Sequence, residues 1–127
     1  MRHRSVLIVD DDVDIREILA ETLVETGFEV TTACNGLEAL TAVRRMKVRP
    51  AVILLDLMMP IMDGYGFLEQ RGCDPEIASI PIAIVTAGHG VDLGRLADDL
   101  PILRKPFDVP KLLGVLETLS AGGNPPG

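Results

Sequence analysis

Two hydrophobic periods take turns along the chain. Short runs rich in β-branched residues, SVLIV over 5–9, EVTTA over 29–33, AVILL over 51–55, IAIV over 82–85 and PILR over 101–104, alternate with stretches whose apolar positions recur at helical spacing. The first and third runs are apolar without alternation, as in central parallel strands covered on both faces. The rhythm predicts an α/β fold, a doubly wound, five-stranded parallel sheet with helices on both faces.

The helical stretches have their own punctuation. Ile15, Ile18, Leu19, Thr22 and Leu23 make one apolar stripe of a first helix, with Arg16, Glu17, Glu21 and Glu25 mostly on other faces and Gly27 ending it. Asn35 followed by Glu38 resembles a capping box, opening a second helix to about Lys47. A third helix is expected over about 64–71 and a fourth over about 91–99, each with ends softened by glycine. Asp108 is placed to cap a last helix that tolerates Pro110 in its first turn and buries Leu112, Val115, Leu116 and Leu119. SAGGNPPG then shows no apolar period, so residues 1–119 are expected to form one domain and 120–127 a flexible tail or linker stub.

Composition narrows the class. A chain of 127 residues with 47% hydrophobic residues buries a core without staples. No apolar run approaches the roughly 18 to 20 residues that cross a bilayer, so a soluble, cytoplasmic protein without membrane insertion is expected. Cys34 and Cys73 belong to no CxxC or Cys/His cluster and read as reduced, passively packed thiols. A formal charge of −7 disfavours direct nucleic-acid binding and points to cations or basic partners.

The chemistry gathers where strands end. LIVDDD leaves Asp10 and Asp11 at the carboxyl end of the first strand, VILLDLMMP leaves Asp56 after the third, IAIVT ends in Thr86, and Lys105 ends the fifth just before Pro106. Open α/β sheets bind ligands beyond these ends. Carboxylates about 4 Å apart repel by about 4 kcal/mol at an effective dielectric near 20, and a hard divalent ion such as Mg²⁺ relieves that. Taken singly, each residue has a plain explanation: Asp12 and Asp14 cap a helix, Thr86 suits a strand, Lys105 is a surface charge. Together they describe a phosphoryl site.

The ordered set Asp10–Asp11, Asp56 in LLDLMMPIMDG, Thr86–Ala87 and Lys105 in KPF resembles a CheY-like receiver domain of the two-component response-regulator family, over residues 4–119. The resemblance implies a flavodoxin-like strand order, 2-1-3-4-5. It implies that Asp56 is the phosphoacceptor, attacking a phosphohistidine or small acyl phosphate. Asp11, Asp56 and the backbone carbonyl of Met58 would hold Mg²⁺ directly, with Asp10 acting mainly through water. Lys105, before a cis Pro106, would pair with a phosphoryl oxygen, and Thr86 would donate its hydroxyl to another. The implied partners are a sensor histidine kinase or histidine phosphotransfer protein and a downstream protein target. Such a module is a signalling phospho-acceptor that assists its own chemistry rather than an enzyme.

Two features depart from the family pattern. Ile102 stands where the family usually carries an aromatic, and the interval from Thr86 to Lys105 is short, so the fourth helix should be short or distorted. A monomer or weak dimer is therefore expected. Small Gly88 and apolar Met58 favour a short-lived phosphoryl group. Asp63 and Gly64 read as a turn, and His89 as a loop-surface residue. Two alternatives stay open: a phosphorylation-independent interaction module, or pseudo-receiver, and an aspartate-nucleophile phosphatase, the latter disfavoured because Met58 replaces the acid such enzymes use. DDDVD after the first strand, in place of a glycine loop, makes a dinucleotide site remote.

Overall fold

The computed structural model describes residues 4–87, 91–96 and 99–121. Five strands, β1 (Ser5–Val9), β2 (Glu29–Ala33), β3 (Val52–Asp56), β4 (Ile82–Thr86) and β5 (Ile102–Arg104), pair in parallel in the order β2-β1-β3-β4-β5. The helices are α1 (Val13–Glu25), α2 (Gly36–Arg45), α3 (Gly64–Gly72) and α4 (Val109–Ser120). Strand order and double winding are as expected.

The period of 2 along each strand divides the core. Leu7, Val9, Ile53, Leu55, Ile82 and Ile84 face α2 and α3, where Leu40, Val43 and Phe67 cover them. Val6, Ile8, Val52, Leu54, Ala83 and Val85 face α1 and α4, meeting Leu19, Leu23, Leu112 and Leu116. β1, β3 and β4 supply both sets, which is why their sequences show no alternation. Each fully buried aliphatic side chain is worth about 1.5 to 3 kcal/mol. That sheet is the platform on which repelling charges are held.

Several elements differ from expectation. On α1 only Leu19 and Leu23 are buried, and Ile18 is 63% exposed, because the sheet accepts a narrower stripe than the apolar spacing offers. Thr26 is the C-cap of α1 and Gly27, at φ +97°, takes the left-handed position after it. α2 stops two residues early, at Arg45, because Met46 turns extended and Arg49 donates to the Val43 and Met46 carbonyls. Asp56 is the last residue of its strand rather than the first beyond it, and Thr86 ends β4 as expected. Asp108 occupies the N-cap of α4 without a side-chain bond, as Pro110 removes one of the donors it would meet. Ser120 still belongs to α4 and Ala121 caps it, so the predicted tail starts too early; 122–127 lie outside the described residues.

The fourth helix is short, as the interval from Thr86 to Lys105 implied, but it lacks the regular turns expected over 91–99. Within 91–99 the described residues form only a 3-10 turn, Leu93–Arg95. Gly94 in the middle of the segment lowers its helix propensity, and the turn that forms is the tighter 3-10 kind. Cys73 is exposed, against the passive packing expected of it, because it falls past the last turn of α3; Cys34 is half-buried. Among the described residues, no helix is long and apolar enough to cross a membrane.

Candidate functional site

Strand register assembles the site. Val9 is level with Leu55, so Asp10 leaves β1 beside Asp56 at the end of β3. Asp56 is level with Val85, so Thr86 stands one step further along β4. The Lys105 amide donates to the Thr86 carbonyl at 2.7 Å, which brings the fifth strand end to the same edge. The Lys105–Pro106 peptide is cis, as the resemblance implied.

Asp10, Asp11 and Asp56 each present a carboxylate oxygen within 4.8 Å of the others. At an effective dielectric near 20, each ionised pair at that range repels by about 3 to 4 kcal/mol. Lys105 answers two of them directly: its Nζ lies 2.9 Å from Asp10 Oδ2 and 3.5 Å from Asp56 Oδ2. Three acids against one ammonium leave an excess of negative charge matched to a divalent ion. The donors are all hard oxygens, which fits Mg²⁺ and not a thiolate-seeking metal.

Burial shapes the protonation of the set. Asp10 is 1% exposed and Asp56 7%. Desolvation, reinforced by the Asp10 charge and only partly countered by Lys105 and the Met58 N–H, raises the Asp56 pKa from 3.8 to about 6. Burial alone would lower the Lys105 pKa, yet the bond to Asp10 and the charges of Asp10 and Asp56 outweigh it and leave the ammonium more basic than usual. Asp56 is therefore ionised above neutral pH at an energetic cost, and Lys105 stays charged.

The loops around the acids are pinned locally. Asp12 caps α1, accepting from the Asp14 and Ile15 amides at 3.0 and 3.2 Å, while Asp14 sits in the first turn and caps nothing. Asp10 Oδ1 accepts from the Asp12 amide at 2.9 Å. Met58, whose carbonyl was the expected third ligand, follows β3 with its side chain 61% exposed and its amide donating to Asp56 Oδ1 at 3.4 Å. Ile61 takes φ 69°, a strained choice for a β-branched residue, as the loop turns toward α3. Asp63 accepts from the Gly66 amide at 2.9 Å as the N-cap of α3, not as a ligand. Gly64 donates to the Leu57 carbonyl at 2.9 Å. A Cβ built on it would lie 2.5 Å from the Asp56 carbonyl oxygen, so only glycine lets α3 start against the strand that ends at Asp56.

The four strand ends thus deliver Asp10, Asp11, Asp56, Thr86 and Lys105 to one edge, and Thr86 is fully buried there. His89 and Gly88 lie outside the described residues. Two residues went unnoticed in the sequence. Arg16, assigned to the outer faces of α1, reaches back so that Nη1 donates to the Asp10 carbonyl at 2.8 Å. Tyr65, an ordinary core aromatic by spacing, accepts from the Asp92 amide at 2.7 Å and carries the Arg95 guanidinium 4.4 Å above its ring. A base one turn into an acid-capped helix was the available signal for Arg16; nothing local marks Tyr65. At the second helix, Asn35 accepts from the Glu38 amide at 2.8 Å, but Glu38 reaches past the cap to the amide and thiol of Cys34. The Glu38 bond and burial raise the Cys34 pKa, so its thiol is a poor nucleophile.

Comparison with known proteins gives a consistent result. The family model described as the response regulator receiver domain matches residues 6–117. A probable transcriptional regulator, ycf27, of Pyropia yezoensis is 40% identical over 115 residues, covering 85% of this chain and 44% of its own. A CpxR homologue of Haemophilus influenzae, a transcriptional regulatory protein, is 34% identical over 121 residues, covering 91% and 49%. The chain spans about half the length of these curated relatives. Among solved structures, the receiver domain of a signal transduction histidine kinase from Syntrophus aciditrophicus superposes with a TM-score of 0.81 at 29% identity, over 94% of this chain and 91% of that one. The chemotaxis protein CheY4 of Vibrio cholerae gives 0.80 at 32% identity, over 92% and 98%.

Proposed function

Since the chain belongs to the response regulator receiver domain family of two-component signalling, we propose that it is a phospho-accepting module whose Asp56 is phosphorylated in a Mg²⁺-dependent reaction and thereby switches partner binding. One observation carries this reading: three carboxylates gather within 4.8 Å at the carboxyl edge of a parallel sheet, and the two buried ones, Asp10 and Asp56, share a single lysine. A cluster so costly is hard to explain without a cation and a group to transfer.

Asp11 and Asp56, with the Met58 carbonyl, would hold the ion, and Asp10 would act mainly through water, since its carboxylate is already engaged by Lys105 and the Asp12 amide. When bound, magnesium neutralises charge on the transferring phosphoryl group. Asp56 supplies the nucleophile: a carboxylate oxygen forms the new bond to phosphorus while the phosphorus–nitrogen bond of a phosphohistidine breaks and the imidazole keeps the electron pair. Lys105 exchanges its carboxylate partners for a phosphoryl oxygen, and the Thr86 hydroxyl donates to another. The added charge, near −2, is what shifts the two-state contacts around the edge.

The partners in this reading are a sensor histidine kinase or histidine phosphotransfer protein on the input side and a protein target on the output side, in the cytoplasm. The domain runs through α4, to Ser120 and its cap Ala121. It is a monomer or weak dimer, supported by the reduction of the fourth helix to one turn. Exposed Met58 favours a short-lived phosphoryl group.

Incubation with acetyl phosphate and MgCl₂ followed by intact-mass measurement tests the proposal. The protein should gain one phosphoryl group, lost on chelation-free standing, and Asp56→Asn should gain none at that position. No labelling of the native protein would favour a pseudo-receiver, and steady turnover of phosphate esters would favour a phosphatase.

A further inference from the structure

We infer that Arg16 is a positioning residue for the divalent cation, holding the Asp10–Asp11 peptide so that the Asp11 carboxylate stays in the acid cluster; this rests on the phospho-acceptor reading above. Arg16 Nη1 donates to the Asp10 carbonyl at 2.8 Å. That carbonyl shares one rigid plane with the Asp11 amide and Cα. Fixing it fixes the base from which the Asp11 side chain projects.

Asp10 needs no such help on its own account. Its amide donates to Ala33 at 3.1 Å, Oδ1 accepts from the Asp12 amide and Oδ2 from Lys105. Asp11 differs: it is exposed, and among the described residues no hydrogen bond or ion pair holds its carboxylate. The Arg16 bond is thus the nearest restraint on the least restrained member of the set.

Helix stability gives Arg16 no reason to be there. It lies one turn into α1, where the amide dipoles disfavour a cation and where Asp12 already supplies the cap. The half-buried side chain instead turns back over the helix start to the Asp10 carbonyl, beside the acids. Arg is suited to this because its planar fork reaches a carbonyl while keeping further donors free.

Positioning and plain electrostatics predict opposite signs here. A cation beside three carboxylates repels Mg²⁺, so removing its charge alone would tighten metal binding. Removing a restraint on a ligand loosens it, and outer partners of metal ligands typically matter by about 10-fold or more. The test is calorimetric titration of Arg16→Met and the native protein with MgCl₂ alone at fixed ionic strength. A second, metal-free readout is the line shape of the Asp11 and Asp12 amide resonances. A magnesium Kd raised about 10-fold, with broadened Asp11 and Asp12 resonances in the metal-free variant, is the expected result. An unchanged or lowered Kd overturns the role of Arg16. Should Arg16→Met fail to fold, Arg16→Gln, which keeps helix propensity and a polar tip but lacks the reach, is read by the same criteria. If the native protein itself binds no magnesium, it is the phospho-acceptor reading that fails.

Discussion

The acid edge holds repelling groups with many restraints, whereas the described residues of the connection from β4 to β5 meet α3 through a few polar contacts. At the edge, Asp10 is bonded through its amide, its carbonyl and both carboxylate oxygens, and Asp56 ends a strand whose other residues are all buried. In the connection, the described turn meets α3 through the Tyr65 hydroxyl at 2.7 Å, the Arg95 ring contact and an exposed Arg95–Glu69 pair at 3.0 Å, with Leu96 reaching the core. The contrast teaches that sheet packing can hold an unfavourable charge cluster in place, whereas a missing helix is replaced by a handful of polar ties.

The heaviest blow to the rigid side is Gly64→Ala. The new Cβ would meet the Asp56 carbonyl at 2.5 Å and the Leu57 Cα at 2.8 Å, both backbone atoms. Moving α3 away from β3 should cost about 3 kcal/mol, read as a lowered urea midpoint, and a midpoint within error of the native value would break the claim that α3 is bolted to the strand that ends at Asp56.

A middle-sized effect exposes the stored repulsion. Because the folded protein raises the Asp56 pKa from 3.8 to about 6, the stability this group contributes is full below pH 4 and is lost as pH rises through about 6. Asp56→Asn removes that loss. The variant should match the native protein near pH 4 and exceed it by about 1 to 2 kcal/mol at pH 7.5, a figure reduced for solvent screening. Equal stabilities at both pH values would mean that the edge stores no repulsion.

The smallest effect belongs to the connection. Tyr65→Phe deletes the acceptor of the Asp92 amide and keeps the ring beneath Arg95, so it should cost about 1 kcal/mol while speeding amide exchange at Asp92. A loss as large as that of Gly64→Ala would erase the difference between the two regions.

How far the sequence was legible depended on the range of the interaction involved. The strands were readable because each carries enough β-branched residues to declare itself, and Asp10, Asp11, Asp56, Thr86 and Lys105 were readable because strand ends in a parallel sheet share one edge. Ile18 was misplaced because periodicity says which residues share a face, not how wide a face the sheet accepts. That the fourth helix is short was legible from the Thr86–Lys105 interval, whereas helical spacing over 91–99 overstated its regularity because local spacing does not register how the chain closes between β4 and β5. Arg16 was assigned to solvent because its bond runs backward over the helix start to a carbonyl of the previous element.

Alternating hydrophobic periods and the order of polar residues at strand ends determined, by themselves, the double winding of the sheet and the identity of the acids, the hydroxyl and the ammonium. Both are carried by local spacing along a chain whose rise per residue is fixed. Only the tertiary structure decided that Lys105 is shared between Asp10 and Asp56, that Asp56 is raised to about 6, and that Arg16 and Tyr65 belong to the story. Those depend on burial and on distances between residues far apart in sequence, which spacing along the chain does not encode.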